Sequence, residues 1–255
     1  VVRYGLIGEH LGHSYSQRYF AEKFEREGLL GHRYDLFELK GIEELHTLLM
    51  ENPDLVGLNV TIPYKRSVMG LLHAVDPTAA TVGAVNTIRI RGGRLVGHNT
   101  DVQGFRRMLL PMLGASRPRA LVLGSGGASR AVVHVLRELG IKFRVVSRDR
   151  STGDLTWEQL DPVLVGACPL IINTTPVGMA PAVEDIPPVP MDAIGARHLL
   201  LDLIYNPERT RFLQEGEARG ARVANGLVML HAQAEAAWRI WNDLTPDHTP
   251  SPPSR

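Results

Sequence analysis

Only one cysteine, Cys168, occurs in the 255 residues, which excludes a disulfide framework within the chain and any thiolate cluster for zinc. A chain of this kind suits a reducing compartment, and the expected location is cytoplasmic. Long apolar runs are missing as well: nothing approaches the roughly 18 to 20 consecutive apolar residues that span a bilayer. The 44% hydrophobic content is therefore spread over short segments, enough to bury a core in one large or two smaller domains. Net charge is close to nil at a formal +1, so no global electrostatic attraction to nucleic acid or membrane is expected. Lysine is scarce, since among 28 basic residues only Lys23, Lys40, Lys65 and Lys142 are lysine. Arginine does not give up its proton in a protein whereas lysine can, so a lysine inside a motif asks for a chemical explanation.

The segments that are present alternate between apolar runs and amphipathic stretches, the pattern of βαβ units, and the expected class is α/β. Strands are predicted near 2–7, 33–38 and 55–60, with helices near 16–28 and 41–50. The opening VVRYGLIGEH has no basic region before it and no small-residue cleavage site after it, so it reads as the first strand rather than a targeting segment. AVNTIRI and RLVGHN, joined by Arg91-Gly92-Gly93, predict a hairpin and a first sheet mixed at one edge. A helix follows from Asp101 to about Leu113, ended by turn formers over Gly114 to Pro118. Strands RALVLG, KFRVVS, PLIINT and HLLLDL then form a second set of units, with a helix over roughly 127–139. The proline-rich APAVEDIPPVP is expected as a surface loop, and a last helix from Gly226 to Trp241 carries Leu227, Leu230, Ala234 and Trp238 on one stripe. The tail TPDHTPSPPSR is too rich in proline and too poor in apolar side chains to pack, and 245–255 is expected to be disordered.

Strand RALVLG leading into Gly124-Ser125-Gly126-Gly127-Ala128-Ser129 and a helix is a dinucleotide-binding arrangement. Glycines permit a tight turn and close backbone approach, and the helix start offers free N–H groups to a pyrophosphate. Taken locally, such a turn can also just join a strand to a helix. The spacing puts the close-packing position of the motif at Ser129, where a small residue fits. The next strand ends in Ser147-Arg148-Asp149-Arg150, and guanidinium groups there suit a ribose 2′-phosphate by bidentate pairing, which favours NADP. If that segment is extended, Asp149 points away from the two arginines.

Elsewhere, polar residues interrupt apolar surroundings in HSYS, NVTIPYK, AVNT and HNTD. Ser14 and Ser16 share parity and would face one side of an extended strand end, or else they cap the following helix. Pro63 at an opening turn makes Lys65 an early helix residue, a poor electrostatic place for a cation and one where it gives up its proton more readily. A plain surface lysine is the other reading until Asn86 and Asp101 are considered with it.

These blocks resemble the shikimate dehydrogenase family. HSYS is similar to its serine pair, NVTIPYK to its N-V-T-x-P-x-K, and GAVNT and GHNTD to two further blocks. GSGGASRA resembles the NADP loop, INTTPVGM the segment beside the nicotinamide, and GLVMLHAQA the helix that completes the substrate site. They lie in family order over roughly 13 to 240. The resemblance implies that Ser14 and Ser16 hold a substrate carboxylate, that Thr61, Asn86 and Gln233 hold ring hydroxyls, that Asn59 also belongs to the substrate site, and that Tyr205 lies on the substrate side. Lys65 and Asp101 take the paired catalytic places. NADP is implied on Gly124 to Ser129, Ser147, Arg148, Arg150, Asn173, Thr174 and Thr175, with backbone contacts from Leu203 and Gly226 to the nicotinamide.

The implied fold has an N-terminal mixed-sheet α/β substrate domain and a Rossmann-type NADP-binding domain, with the active site in the cleft between them. The expected boundaries are 1–100 with 225–244 for the first and 101–224 for the second. Shikimate or 3-dehydroshikimate is the implied small-molecule partner, and the chain is expected as a monomer or homodimer. Two departures stand out: Gln17 replaces the proline after the second serine, and Asp149 puts a negative charge beside the expected phosphate. Asp149 keeps open a quinate/shikimate dehydrogenase using NAD or both cofactors, against which Ser16 argues. A catalytically silent NADP-binding sensor would have lost Lys65 or Asp101, and a folate-linked dehydrogenase of similar plan would not need the serine pair.

Overall fold

The computed structural model describes residues 1–12 and 15–244. Ser14 and the expected disordered tail over 245–255 lie outside the described residues.

The first half builds β1 (Val2–Gly8), α1 (Tyr15–Arg26), β2 (His32–Glu38), α2 (Leu45–Glu51), β3 (Leu55–Val60), β4 (Ala74–Val75), α3 (Pro77–Val82), β5 (Thr87–Arg91) and β6 (Arg94–His98). The strands form one six-stranded sheet in the order β2-β1-β3-β5-β6-β4. β1 pairs parallel with β2 and β3, whereas β3–β5 and β5–β6 are antiparallel. The predicted hairpin forms, with Gly92 and Gly93 both at positive φ. It is not the edge, however, because β4, too short to carry a periodic signal, pairs parallel outside β6. The helix expected over 41–50 is a 3₁₀ turn at Ile42–Glu44 followed by α2.

The second half follows with α4 (Asp101–Leu113), β7 (Ala120–Leu123), α5 (Gly127–Glu138), β8 (Phe143–Ser147), β9 (Leu155–Thr156), α6 (Pro162–Ala167), β10 (Leu170–Asn173), β11 (Leu199–Asp202), α7 (Arg211–Ala218) and β12 (Arg222–Ala224). Its six strands are all parallel, in the order β12-β11-β10-β7-β8-β9. This is the doubly wound Rossmann arrangement, which reverses between its first and fourth strands, β7 and β10. The carboxyl ends of the strands at such a reversal are where sheets of this kind take ligands. ALVL of β7 is buried at every residue, as are LIIN of β10 and LLLD of β11. Helices cover both faces of such strands, so they read as unbroken apolar runs.

The described residues close with α8 (Leu227–Trp241), which packs on the first sheet rather than the second. Trp238 and Trp241 join Tyr4, Phe20, Phe24 and Tyr34 in one aromatic core, while α8 also lies along α4. A helix enclosed in this way is apolar around most of its circumference. Hence Met229, Ala236, Ala237, Ile240 and Trp241 are buried in addition to the expected Ala234 and Trp238, while Leu227 and Leu230 are only partly buried. Among the described residues no helix is long and apolar enough to cross a membrane.

Trp241 is the tightest tie of α8 to the sheet: it is 3% exposed, its Nε1 donates to the Ile88 carbonyl at 3.0 Å, and its ring lies where a Cβ on Gly57 would be. Replacing Trp241 with Ala should destabilise the protein by roughly 3–5 kcal/mol, the usual cost of emptying a large aromatic site. Urea unfolding monitored by circular dichroism measures this, and a loss under about 1 kcal/mol would show that α8 does not depend on that contact.

Candidate active site

Asp101 opens α4, where the positive end of the helix dipole favours a carboxylate. Its Oδ1 accepts Asn86 Nδ2 at 2.9 Å and its Oδ2 accepts Lys65 Nζ at 2.6 Å. Asn86 is held in turn by donating to Thr100 Oγ1 and accepting the Thr100 backbone N–H at 2.7 Å. The carboxylate is thus gripped on both oxygens, by a buried Asn86 and by Lys65, whose side chain stays 17% exposed. Lys65 is not an early helix residue as its sequence predicts. It sits in a turn over 62–66 ahead of the 3₁₀ helix Ser67–Leu71, so the helix-dipole argument for its chemistry lapses, and what the structure supplies is a position for Nζ, fixed by the Asp101 contact.

Lys65 and Asp101 open into a cavity of about 220 Å³ whose walls come from both sheets. Ser16, Asn59, Thr61 and Asn86 line it from the first sheet and its helices, and Gln233 and Gly226 from the last helix and its start. Ala128, Leu203 and Tyr205 line it from the loops of the second sheet. Ser16 belongs to α1, which begins at Tyr15, so the strand-parity argument for it does not apply even though it reaches the cavity. Asn59 commits both Nδ2 hydrogens, to the Asn86 carbonyl and Thr87 Oγ1, and its Oδ1 accepts Tyr34 Oη at 2.8 Å. It therefore braces Asn86 more than it offers donors to the cavity.

On the nucleotide side, the Gly124 turn needs its glycine: φ is +105°, and a Cβ would fall 2.8 Å from Thr174 Oγ1 and 2.9 Å from Thr175 Cγ2. This brings the loops after β7 and β10 together at the sheet's switch point. α5 has no side-chain cap at its Gly126 start, which leaves its first N–H groups for an anion. The group implied here is a dinucleotide, and the residues fit one. Ser129 is 2% exposed and packs the helix against the sheet. Gly127 faces Lys65, with an added Cβ falling 3.2 Å from Lys65 Cδ, so the nucleotide loop backs directly onto the lysine.

At the end of β8, Arg148, Asp149 and Arg150 are all exposed, and among the described residues neither arginine pairs with a carboxylate. The segment is a bend, not an extended strand, so alternation does not set its side chains. Asp149 instead caps its own turn by accepting the Ser151 N–H at 2.8 Å, and that bond holds its carboxyl below the ordinary range. Ser125, Ser147 and Thr152 hydroxyls meet within 3.1 Å beside it. Thr152 carries no sequence signal of its own, since only the turn brings it back to the glycine loop.

Sequence reasoning also passed over Asp202, which is fully buried at the end of β11. It accepts Asn173 Nδ2 at 3.0 Å, the Ile204 N–H at 3.0 Å and Thr210 Oγ1 at 2.7 Å. Asn173 Oδ1 meanwhile accepts the Thr175 N–H and hydroxyl. One carboxyl therefore ties the Thr174–Thr175 loop to the Leu203–Tyr205 loop. Gly226 completes that wall, since a Cβ there would fall 2.1 Å from the Leu203 carbonyl oxygen.

A glycine loop at the switch point of a parallel sheet, set directly against a lysine–carboxylate pair that opens into a polar cavity, defines a dinucleotide-dependent oxidoreductase. The family profile described as Shikimate dehydrogenase substrate binding domain matches residues 6–88. The chain is 39% identical to the shikimate dehydrogenase (NADP(+)) of Clostridium beijerinckii, with 96% of this chain and 93% of that one covered. It is similar in structure to the shikimate 5-dehydrogenase of Thermus thermophilus, solved with NADP(H) and shikimate, at 34% identity and a TM-score of 0.85 over 97% and 95% of the two chains. The Listeria monocytogenes shikimate 5-dehydrogenase, solved with shikimate and NAD, is 28% identical with a TM-score of 0.80 over 95% and 92%. The chain belongs to the shikimate dehydrogenase family.

Burial pushes the Asp202 carboxyl up to about 6, against the three hydrogen bonds that favour its charged form. The folded protein then holds this proton more tightly than the unfolded chain, so the group's contribution to stability falls as pH rises from about 4 to about 6. Wild type should accordingly gain stability relative to Asp202→Asn, by on the order of 2–3 kcal/mol, when the pH is lowered across that window. Denaturant unfolding of both proteins at several pH values checks this. A constant difference would mean that the carboxyl titrates as it does in the unfolded chain.

Proposed function

We propose that this chain catalyses the reversible NADPH-dependent reduction of 3-dehydroshikimate to shikimate, a step of aromatic amino-acid biosynthesis, with Lys65 and Asp101 handling the proton. The observation that carries the assignment of roles is the 2.6 Å Lys65–Asp101 contact at the wall of a cavity that the nucleotide loop also borders. The proposed units are 1–100 with 225–244 for the substrate and 101–224 for NADP. The protein is proposed to work in the cytoplasm, as a monomer or homodimer.

Bound NADP supplies the hydride acceptor in the oxidation of shikimate, and NADPH the hydride donor in the reverse direction. Gly124 to Ala128 and the open start of α5 would hold its pyrophosphate, and Arg148 and Arg150 its 2′-phosphate. The chain's own residues hold the substrate and move the proton. Ser14 and Ser16 would bind the carboxylate through neutral hydroxyls, which keeps an arginine's charge away from the reacting carbon. Thr61, Gln233 and Tyr205 would face the ring hydroxyls, while Asn86, whose Nδ2 hydrogens go to Thr100 and Asp101, lines the same wall. In oxidation, neutral Lys65 Nζ takes the hydroxyl proton as the hydride leaves the carbon. In reduction, the ammonium returns that proton to the forming alkoxide oxygen. Asp101 Oδ2 keeps Nζ aimed in both directions, and Asn86 keeps Asp101 from turning.

Lys65→Ala should lower kcat for shikimate oxidation by about 10² or more while shikimate Kd stays near that of wild type. Steady-state kinetics with a separate binding titration measure both. A variant within threefold of wild-type kcat would remove Lys65 from the chemistry.

Asp149 favours a second reading, in which NAD is used equally well. It caps its own turn, however, and Arg148 and Arg150 stay exposed beside the hydroxyl cluster. A two-by-two assay of shikimate and quinate with NADP and NAD should show shikimate with NADP as the best pair. The expected preference for NADP over NAD is at least about tenfold in kcat/KM, or about 1.4 kcal/mol. Arg148→Ala should remove most of that by weakening NADP alone. Equal efficiency with the two cofactors would replace this reading with dual use.

A further inference from the structure

The helices α1 and α8 are joined by a ladder of polar and aromatic contacts that the proposed chemistry does not use. Lys23, only 4% exposed, pairs with Glu235 at 3.0 Å and with Glu27 at 2.7 Å. Tyr19 donates to the same Glu235 and stacks on His231 with ring centroids 5.2 Å apart. The ladder ends at Tyr15, whose Oη lies 2.6 Å from His231 Nε2. Beyond Tyr15 the contact leaves the first sheet's side of the cleft. The Tyr15 ring meets the Tyr205 ring edge-on, with centroids 5.4 Å apart and planes at 62°, and Tyr205 stands on the loop after β11 of the second sheet. Tyr15 is also the chain neighbour of Ser16, which lines the cavity with Tyr205.

A tyrosine ring held only by packing can swing about its side-chain torsions, and an edge-on aromatic contact is worth just about 0.5–1.5 kcal/mol. The hydrogen bond to His231 removes that freedom. Stacking on Tyr19 fixes the imidazole, so the geometry is transmitted from α8 through Tyr15 to Tyr205.

We propose that His231 is a positioning residue for substrate binding: by holding the Tyr15 hydroxyl it sets Tyr15 against Tyr205 and so closes the cavity across the two sheets at the Ser16 end. This rests on the reading of that cavity as the shikimate site. Among the described residues His231 makes no hydrogen bond to Lys65, Asp101 or residues 124–129, so its effect falls on substrate affinity and not on proton transfer.

The test is steady-state kinetics on wild type, His231→Leu, His231→Gln, Tyr15→Phe and the His231→Leu/Tyr15→Phe double variant, with thermal melting of each. Both His231→Leu and Tyr15→Phe should raise KM for shikimate by about tenfold, while kcat and KM for NADP stay within about threefold. The double variant should be no worse than either single one, because both remove the same bond. His231→Gln keeps a hydrogen-bonding group on the side chain and should recover most of the lost affinity. Tyr15→Phe deletes one oxygen and keeps the ring, so it reports even if His231→Leu folds poorly. An unchanged KM, additive effects in the double variant, or a loss of melting temperature with KM intact would overturn the proposal. If wild type itself failed to turn over shikimate, the reading of the site would fall and the proposal with it, whereas an active wild type with indifferent variants would sink the proposal alone.

Discussion

The Asp101 carboxylate lies where Asn86 at the entry to β5, the turn bearing Lys65 and the start of α4 meet. Taking a carboxylate out of water is costly, and it is tolerated only where both oxygens are partnered and the backbone dipole is favourable. Asn86 supplies one partner and Lys65 the other, while Thr87 and Thr100, both fully buried, keep the Asn86 amide from rotating. Loss of any of these groups would leave a buried charge short of a partner, so the constraint reaches back through Asn59 and Tyr34 into the first sheet.

A second carboxyl, Asp202, does the corresponding work on the nucleotide side with different physics. Its partners are neutral donors, and burial dominates, which moves its titration toward neutral pH instead of away from it. It is a bracket between two loops, and the wall of the cavity near Leu203 and Tyr205 depends on it. The α8 helix then seals the arrangement, because Gly226 sits against the Leu203 carbonyl while Gln233 and Leu230 face the cavity from the same helix. The α8 helix with its Gly226 start thus touches the first sheet, the first helix of the second half and the loop after β11.

Much of this was legible in the residues. Unbroken apolar runs such as LIIN and LLLD mark strands buried on both faces, and the glycine loop between RALVLG and its helix marks the nucleotide crevice. Lys65, Asn86 and Asp101 stood out because polar residues interrupt apolar segments there. Local inference failed where it assumed regular backbone. Lys65 is in a turn and Ser16 in a helix, and the segment around Asp149 is a bend whose side chains do not alternate. The short elements β4, β9 and β12 were unreadable because two or three residues carry no period.

Composition, strand runs and motif order by themselves determined the α/β class, the parallel second sheet, the glycine turn between β7 and α5 and the family resemblance, since each depends on residues close together in the chain. Tertiary structure alone decided which polar groups meet. The Lys65–Asp101 contact spans 36 positions, Tyr15 to His231 spans 216, and Asp202 to Asn173 spans 29. No local propensity encodes such distances, because they follow from how two sheets and a returning helix pack. The chemistry of a lysine, a tyrosine or a buried carboxyl is set by the neighbours that packing supplies.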